Sequence, residues 1–358
     1  MDESTVLEKL QSVVLHGGIC VGDEQRRALH NFDQCRTPKK GSRILHCDHC
    51  NTRVIYHNAC NKRGCPKCHQ KNQLIWLERA QTRILPTSHL HIVFSIPTEL
   101  TSEWLRDRRQ VMKNLFKSAD AVMKELEETS GLLLGRLQVF QSHGRGLSYK
   151  PHIHSLVTDG GMDSEGNWKW LGKLDLDNMV RTFEREYRKL SGQTKEPIEG
   201  WSIYVARHDG TGKKVLGYMS RTMAGVVIRF GDGLVLDETK ETITVEDRHE
   251  GSRANTTLSM GTFVERYLNH IPPERAVTVR YYGLYSNRHR NELEEARKQF
   301  ESESDRARED SKEFEECCPN CHKRMRVLAE IEPGKEISYT TWGYTRGPPG
   351  HGENWKVA

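Results

Sequence analysis

Cysteine placement constrains this chain more than any other feature. Seven of its ten cysteines lie early (Cys20, Cys35, Cys47, Cys50, Cys60, Cys65 and Cys68), three come late (Cys317, Cys318 and Cys321), and the long middle has none. Cys-x-x-Cys occurs at Cys47–Cys50, Cys65–Cys68 and Cys318–Cys321. Such a knuckle presents two thiolates to one side of a tetrahedron, and an intracellular chain uses it for metal rather than for a disulfide. The distribution therefore predicts metal modules flanking a larger cysteine-free domain.

The first two knuckles favour one zinc site from Cys47, Cys50, Cys65 and Cys68. Cys35, Cys60 and His57 form a second candidate set, with His46, His49 or His69 to complete it. Alternatively, Cys35 and Cys60 are small buried residues. The structural zinc count is one or two. The late pair lacks an obvious partner pair; Cys317, His322 or a distant residue would have to complete it. Lys39, Lys40, Arg43, Arg53, Lys62, Arg63 and Lys67 interleave the early ligands. A zinc module this basic suits phosphate contact, with Lys39, Lys40, Arg43, Lys62, Arg63 and Lys67 as DNA-binding candidates.

The balance of the chain agrees. Its 358 residues allow two or three domains, and its net charge of +5 permits nucleic-acid binding without requiring it. Mean hydropathy is −0.73, and no apolar run approaches the roughly 20 residues of a membrane span. The acidic start, Met1-Asp2-Glu3-Ser4, lacks an apolar signal core. The expectation is a cytoplasmic protein without membrane contact.

Along the chain, residues 1–34 read as a helical lead-in, 35–72 as the zinc module and 73–88 as a linking helix. Residues 89–288 read as the main domain, 289–316 as a charged, solvated helix, and 317–358 as a Cys-x-x-Cys motif with a flexible tail. Within the main domain, 89–97 and 136–142 read as strands. Helices are predicted over 101–128, 174–191 and 212–224, and strands over 201–207, 226–230 and 242–246. The class is α+β.

One strand carries chemistry. In Pro151-His152-Ile153-His154-Ser155-Leu156-Val157 the two imidazoles share a face, because strand residues i and i+2 point the same way. They could share one divalent cation, Mg²⁺ or Mn²⁺, the latter tolerating imidazole better. The Gly-rich turn after 142 makes a hairpin that could offer Gln141, or next His143, as third ligand. Downstream, Tyr218 on a helix would share its face with Lys214 and Arg221. A phenol between two cations suits attack on a phosphodiester. Trp168, Trp170, Tyr281, Tyr282 and Tyr285 are candidates for stacking on bases.

His-hydrophobe-His followed by a helical tyrosine resembles the HUH single-strand endonucleases. The ordered set of motifs is closer to the rolling-circle insertion-sequence transposases of the IS91 and ISCR type. It comprises Cys35-Arg-Thr, Asn58-Ala-Cys-Asn-Lys-Arg-Gly-Cys-Pro-Lys-Cys68, His91-Ile-Val-Phe-Ser-Ile-Pro97, the His152 strand, Tyr218-Met-Ser-Arg221, Arg280-Tyr-Tyr-Gly-Leu-Tyr-Ser-Asn287 and Cys318-Pro-Asn-Cys321. The resemblance spans about residues 25–325. It implies an HUH domain (an antiparallel sheet flanked by helices) behind an N-terminal zinc-binding domain. It also implies nicking and rejoining of single-stranded or hairpin DNA ends through a 5′-phosphotyrosine link. By position, His152 and His154 become metal ligands and Tyr218 the nucleophile. Many relatives carry a second tyrosine four residues on, where this chain has Thr222. Either Tyr218 acts twice or a second protomer of a homodimer supplies the other nucleophile. A replication initiator or relaxase, and a non-catalytic zinc-dependent DNA-binding protein, remain alternatives.

Overall fold

The computed structural model describes residues 10, 14, 21–193, 198–208, 215–217, 219–220, 234–249, 252–300 and 317–335. Lys214, Tyr218, Arg221 and Thr222, the strand expected at 226–230 and the tail after residue 335 lie outside them.

The main domain is built on an antiparallel sheet. Its strands are β3 (His89–Ser95), β4 (Leu133–His143), β5 (Tyr149–Met162), β7 (Ser202–His208) and β11 (Val279–Gly283), in the order β11-β4-β5-β3-β7, with β6 (Trp168–Trp170) pairing the far end of β5. Strict alternation separates the two faces. Leu90, Ile92, Phe94, Phe140, Ile153 and Val157 point to one side. There they meet α4 (Arg108–Ser130) through Val111, Leu115, Phe116, Ala119, Val122 and Met123, and α5 (Leu176–Ser191) through Met179, Phe183 and Tyr187. Both helices are capped as their sequences dictate. The Asp107 and Asp175 side chains accept from the Gln110 and Asn178 backbone N–H groups, and Gly131 and Gly192 end the helices in the left-handed region. The helix expected over 101–128 is two: α3 (Thr101–Arg106) stops at Asp107, which takes an extended φ of −148° to cap α4.

The opposite face carries His152, His154 and Leu156 from β5, Leu137, Val139 and Gln141 from β4, and His91, Val93 and Ser95 from β3, since directly paired residues share a face. Its apolar end is covered by a second cluster. This includes Ala80 of α2 (His69–Arg83), Ile84, Leu85, Val215, Leu216, Met219, Tyr285, and Leu293 and Ala296 of α7 (Arg290–Lys298). The described part of the charged stretch is thus anchored rather than solvated, because Leu293 and Ala296 sit three apart on one helical side. Gly283 ends β11 at φ +54°, where a Cβ would stand 1.8 Å from the Leu134 carbonyl oxygen, so only glycine fits.

Two small sheets complete the fold. A meander, β8 (Leu234–Asp237), β9 (Thr242–His249) and β10 (Ser252–Ser259), leads into α6 (Met260–His270). The N-terminal module holds α1 (Asp23–Gln34), β1 (Ser42–His46) and β2 (Arg53–His57). The third strand of its sheet comes from the other end of the chain: β12 (Arg326–Ile331) pairs antiparallel with β1, Ser42 opposite Ile331 and His46 opposite Arg326. Residues 317–335, expected to begin a flexible tail, are folded against the start of the chain.

Candidate active site and metal centres

At the polar end of the sheet, the β4–β5 hairpin sets Gln141 directly opposite His152. His152 Nδ1 lies 2.5 Å from the Lys150 carbonyl oxygen. A carbonyl only accepts, so this contact assigns the proton to Nδ1 and leaves Nε2 as a bare lone pair when the ring is neutral. That Nε2 is 3.0 Å from His154 Nε2, which is 2.7 Å from Gln141 Oε1. Burial pushes the His152 pKa down to about 4, which keeps the ring neutral near pH 7. Two imidazole nitrogens and an amide oxygen thus converge, a mixed nitrogen and oxygen donor set that would suit a divalent cation.

Neighbours fix the orientation of these groups. His91 Nε2 stands 2.9 Å from His154 Nδ1, and the two rings stack with centroids 5.2 Å apart. Gln141 Nε2 donates to His143 Nε2 at 2.9 Å, which turns the amide oxygen toward His154. His143, the alternative third ligand, is therefore placed behind Gln141 rather than beside the two Nε2 atoms. Outer partners of this kind hold ligand rings in place. The pairing of β3 with β5 brings His91 to this site. His89 is a core residue. Its Nδ1 faces the Thr87 carbonyl and its Nε2 accepts from the Tyr285 hydroxyl at 2.7 Å.

Val215, Leu216 and Met219 are buried in the same apolar cluster as Leu137, Val139 and Leu156, on the face that carries His154 and Gln141. Residues 215–217 and 219–220 are helical, and Gln73 of α2 donates to Ser220 Oγ at 3.2 Å.

The thiols group differently from their order in sequence. Cys35, Cys60, Cys65 and Cys68 form one cluster, and Cys47, Cys50, Cys318 and Cys321 another. The grouping of Cys47 and Cys50 with Cys65 and Cys68 is therefore corrected: each early knuckle takes a different partner pair. His57 joins neither cluster, because its Nδ1 is held by Ser42 Oγ at 2.8 Å. In the first cluster Cys68 Sγ lies 3.3 Å from Cys35 Sγ and 3.7 Å from Cys60 Sγ. Hydrogen bonds from Cys60, Cys65 and Cys68 hold the Cys35 thiol far below its ordinary range, while the same contacts and burial push Cys65 far above it. Four thiolates this close need a cation before all can ionise.

The basic residues of the module are largely engaged. Lys62 pairs with Glu274 at 3.0 Å, and Lys39 approaches Asp33 at 3.9 Å. Lys40 donates to Asn31 Oδ1 and Lys67 to the Cys35 carbonyl. Arg63 is partly buried, and burial lowers its pKa. Arg43 lies within β1 opposite Tyr56. Among the aromatic candidates, Tyr285 is fully buried and Trp168 packs edge-on against Phe300 at 4.8 Å. Tyr281 lies under Arg83 and Tyr282 under Arg136. Trp170 is exposed, as is Tyr204 on edge strand β7, whose ring meets His91 edge-on at 6.5 Å. Tyr204 went unnoticed in the sequence because strand alternation alone does not say which face holds the histidines.

Comparison with known proteins joins these features. A family model described as "Transposase zinc-binding domain" matches residues 8–96, and one described as "Putative transposase" matches 135–194 and 172–293. Together these matches and the relatives that follow support an IS91-type transposase. It is 25% identical over 359 aligned positions to "Putative transposase y4qJ" of Sinorhizobium fredii, covering 87% of this chain and 90% of that one. It is 26% identical to "Transposase for insertion sequence element IS801" of Pseudomonas savastanoi pv. phaseolicola, covering 64% of this chain and 62% of that one. No solved structure matches the chain. The matches support a role in transposition, and the N-terminal module matches a zinc-binding domain whose thiol clusters fit structural zinc. Among the described residues no helix is long and apolar enough to cross a membrane.

Proposed function

We propose that the chain cuts and rejoins one DNA strand in rolling-circle transposition, with Tyr218 as the attacking group. The observation that carries this reading is the meeting of His152 Nε2, His154 Nε2 and Gln141 Oε1 on the sheet face where residues flanking position 218 are buried. In the proposed step the Tyr218 phenolate oxygen bonds to phosphorus and the bond from phosphorus to the 3′-oxygen breaks. The leaving oxygen takes a proton to become a free 3′-hydroxyl, and the 5′-phosphate stays on the tyrosine. His152, His154 and Gln141 would hold Mg²⁺ or Mn²⁺, which polarises the phosphoryl oxygen and steadies the leaving 3′-oxygen. Lys214 and Arg221 favour the phenolate and grip the phosphate. The outer partners His91 and His143 keep the donor atoms aimed. Exposed Tyr204 and Trp170 suit stacking on unpaired bases. With Thr222 in place of a second tyrosine, the two transfers fall to Tyr218 used twice or to a homodimer.

The test is an adduct assay on labelled single-stranded oligonucleotides carrying candidate element ends, in Mn²⁺ or Mg²⁺, with the attached peptide mapped by mass spectrometry. The wild-type chain is expected to form a covalent adduct at Tyr218, and Tyr218→Phe to lose it. Equal cleavage by both proteins would remove Tyr218 from the mechanism. DNA binding with a steep salt dependence but no adduct in either metal would favour a non-catalytic DNA-binding role.

A further inference from the structure

The zinc-domain match ends at residue 96, so the late cysteines belong to no assigned site. We propose that Cys47, Cys50, Cys318 and Cys321 bind a second zinc ion that clasps the C-terminal segment to the N-terminal module. This is independent of the nuclease reading.

Sulfur spacing supports it first. Cys47 Sγ is 3.5 Å from Cys321 Sγ, and Cys50 Sγ is 3.4 Å from Cys318 Sγ. A tetrahedron with Zn–S bonds of about 2.3 Å places its sulfurs roughly 3.8 Å apart, whereas a disulfide needs about 2.0 Å. The four sulfurs are therefore spaced for a shared ion. An all-thiolate set selects a soft or borderline ion such as zinc over magnesium or manganese.

The backbone supplies a second, independent observation: the two knuckles repeat one another. Cys47 N–H donates to the Thr52 carbonyl and Cys318 N–H to the Lys323 carbonyl, each five residues on. Asn51 N–H donates to the Cys47 carbonyl and His322 N–H to the Cys318 carbonyl, each four residues back. Asn51 and His322, each directly after the second cysteine, both take positive φ, 59° and 58°. Two segments with different side chains share this turn because each must aim two thiolates at one point. The left-handed residue is the cost of doing so.

The surroundings explain why an ion is needed. Among the described residues, the buried cluster here is Leu45, Cys47, Val54, Cys318 and Met325, too little apolar surface to hold residues 317–335 by itself. Around it, β12 pairs with β1, and Arg326 Nε contacts both Asp48 carboxylate oxygens at 2.8 and 2.9 Å. Exposed Cys317 stays outside the set.

The experiment measures bound zinc per full-length chain by elemental analysis, with amide hydrogen exchange on the same samples. Wild type is expected to hold two zinc ions. Cys318→Ser/Cys321→Ser is expected to hold one, half the content, and to lose protection in β12, β1 and β2 while β3 and β5 keep theirs. One zinc in wild type, or unchanged zinc or β12 protection in the variant, overturns the proposal. Should the variant fail to fold, cadmium-113 NMR of the cadmium-loaded wild-type chain decides. Two tetrathiolate resonances support the clasp and a single one overturns it.

Discussion

The two thiol clusters contain the same four donor atoms in opposite settings. The Cys35 cluster draws its ligands from a short stretch, Cys68 lying 33 residues from Cys35, and it is built into the body of the protein. Cys35, Cys65 and Cys68 are buried with Leu29 and Phe32 of α1 and with Phe263, Val264, Tyr267 and Leu268 of α6. The Cys47 cluster spans 274 residues and touches only a small satellite core. Closing the longer loop costs about three doublings of length, roughly 2 kcal/mol more in chain entropy. The contrast separates a centre that the fold grows around from one that gathers the fold's loose ends.

Breaking the embedded cluster should have the largest effect. Cys35→Ser removes a ligand and leaves three crowded thiols under α6. Structural zinc contributes on the order of 10 kcal/mol to small domains, so the loss should exceed about 5 kcal/mol and show as poor soluble yield and a collapsed thermal transition. If Cys35→Ser melts like wild type, the centre is not part of the body's folding unit. A finer probe is Tyr267→Phe. Its hydroxyl donates to the Gly64 carbonyl, one residue before Cys65, at 2.6 Å. Its loss strands a buried acceptor and should cost about 1–3 kcal/mol in urea melts without changing zinc content. Zinc loss in this variant would mean that α6 shapes the knuckle directly. The smallest effect belongs to the satellite: Asp48→Ala removes an exposed pair with Arg326 and should change stability by under about 1 kcal/mol. A larger drop would show that the ion pair, rather than metal, holds β12.

What the sequence disclosed follows from which forces are local. Alternation identified β3 and β5, apolar spacing identified α4 and α5, and the hairpin turn put Gln141 beside the histidine strand. The partners of Cys47 and Cys50 were hidden, because knuckles announce metal binding yet say nothing about which knuckle they face. Cys65 is near Cys50 in sequence, but the backbone carries it to α6 instead. The role of His91 needed the order β5-β3, a tertiary fact. Strand β10, Ser-Arg-Ala-Asn-Thr-Thr-Leu-Ser, has too few apolar residues to show a period, and Leu293 and Ala296 were masked by the charges around them.

The pairing of β12 with β1 also has a consequence in time. A ribosome delivers about 5–20 residues per second, so the 268 residues between Cys50 and Cys318 take from roughly a quarter of a minute to most of a minute to emerge. For most of that interval Cys47 and Cys50 wait without their partner thiols, while Cys68, the last thiol of the first cluster, follows soon after Cys50. The β1–β12 ribbon can close only after that interval.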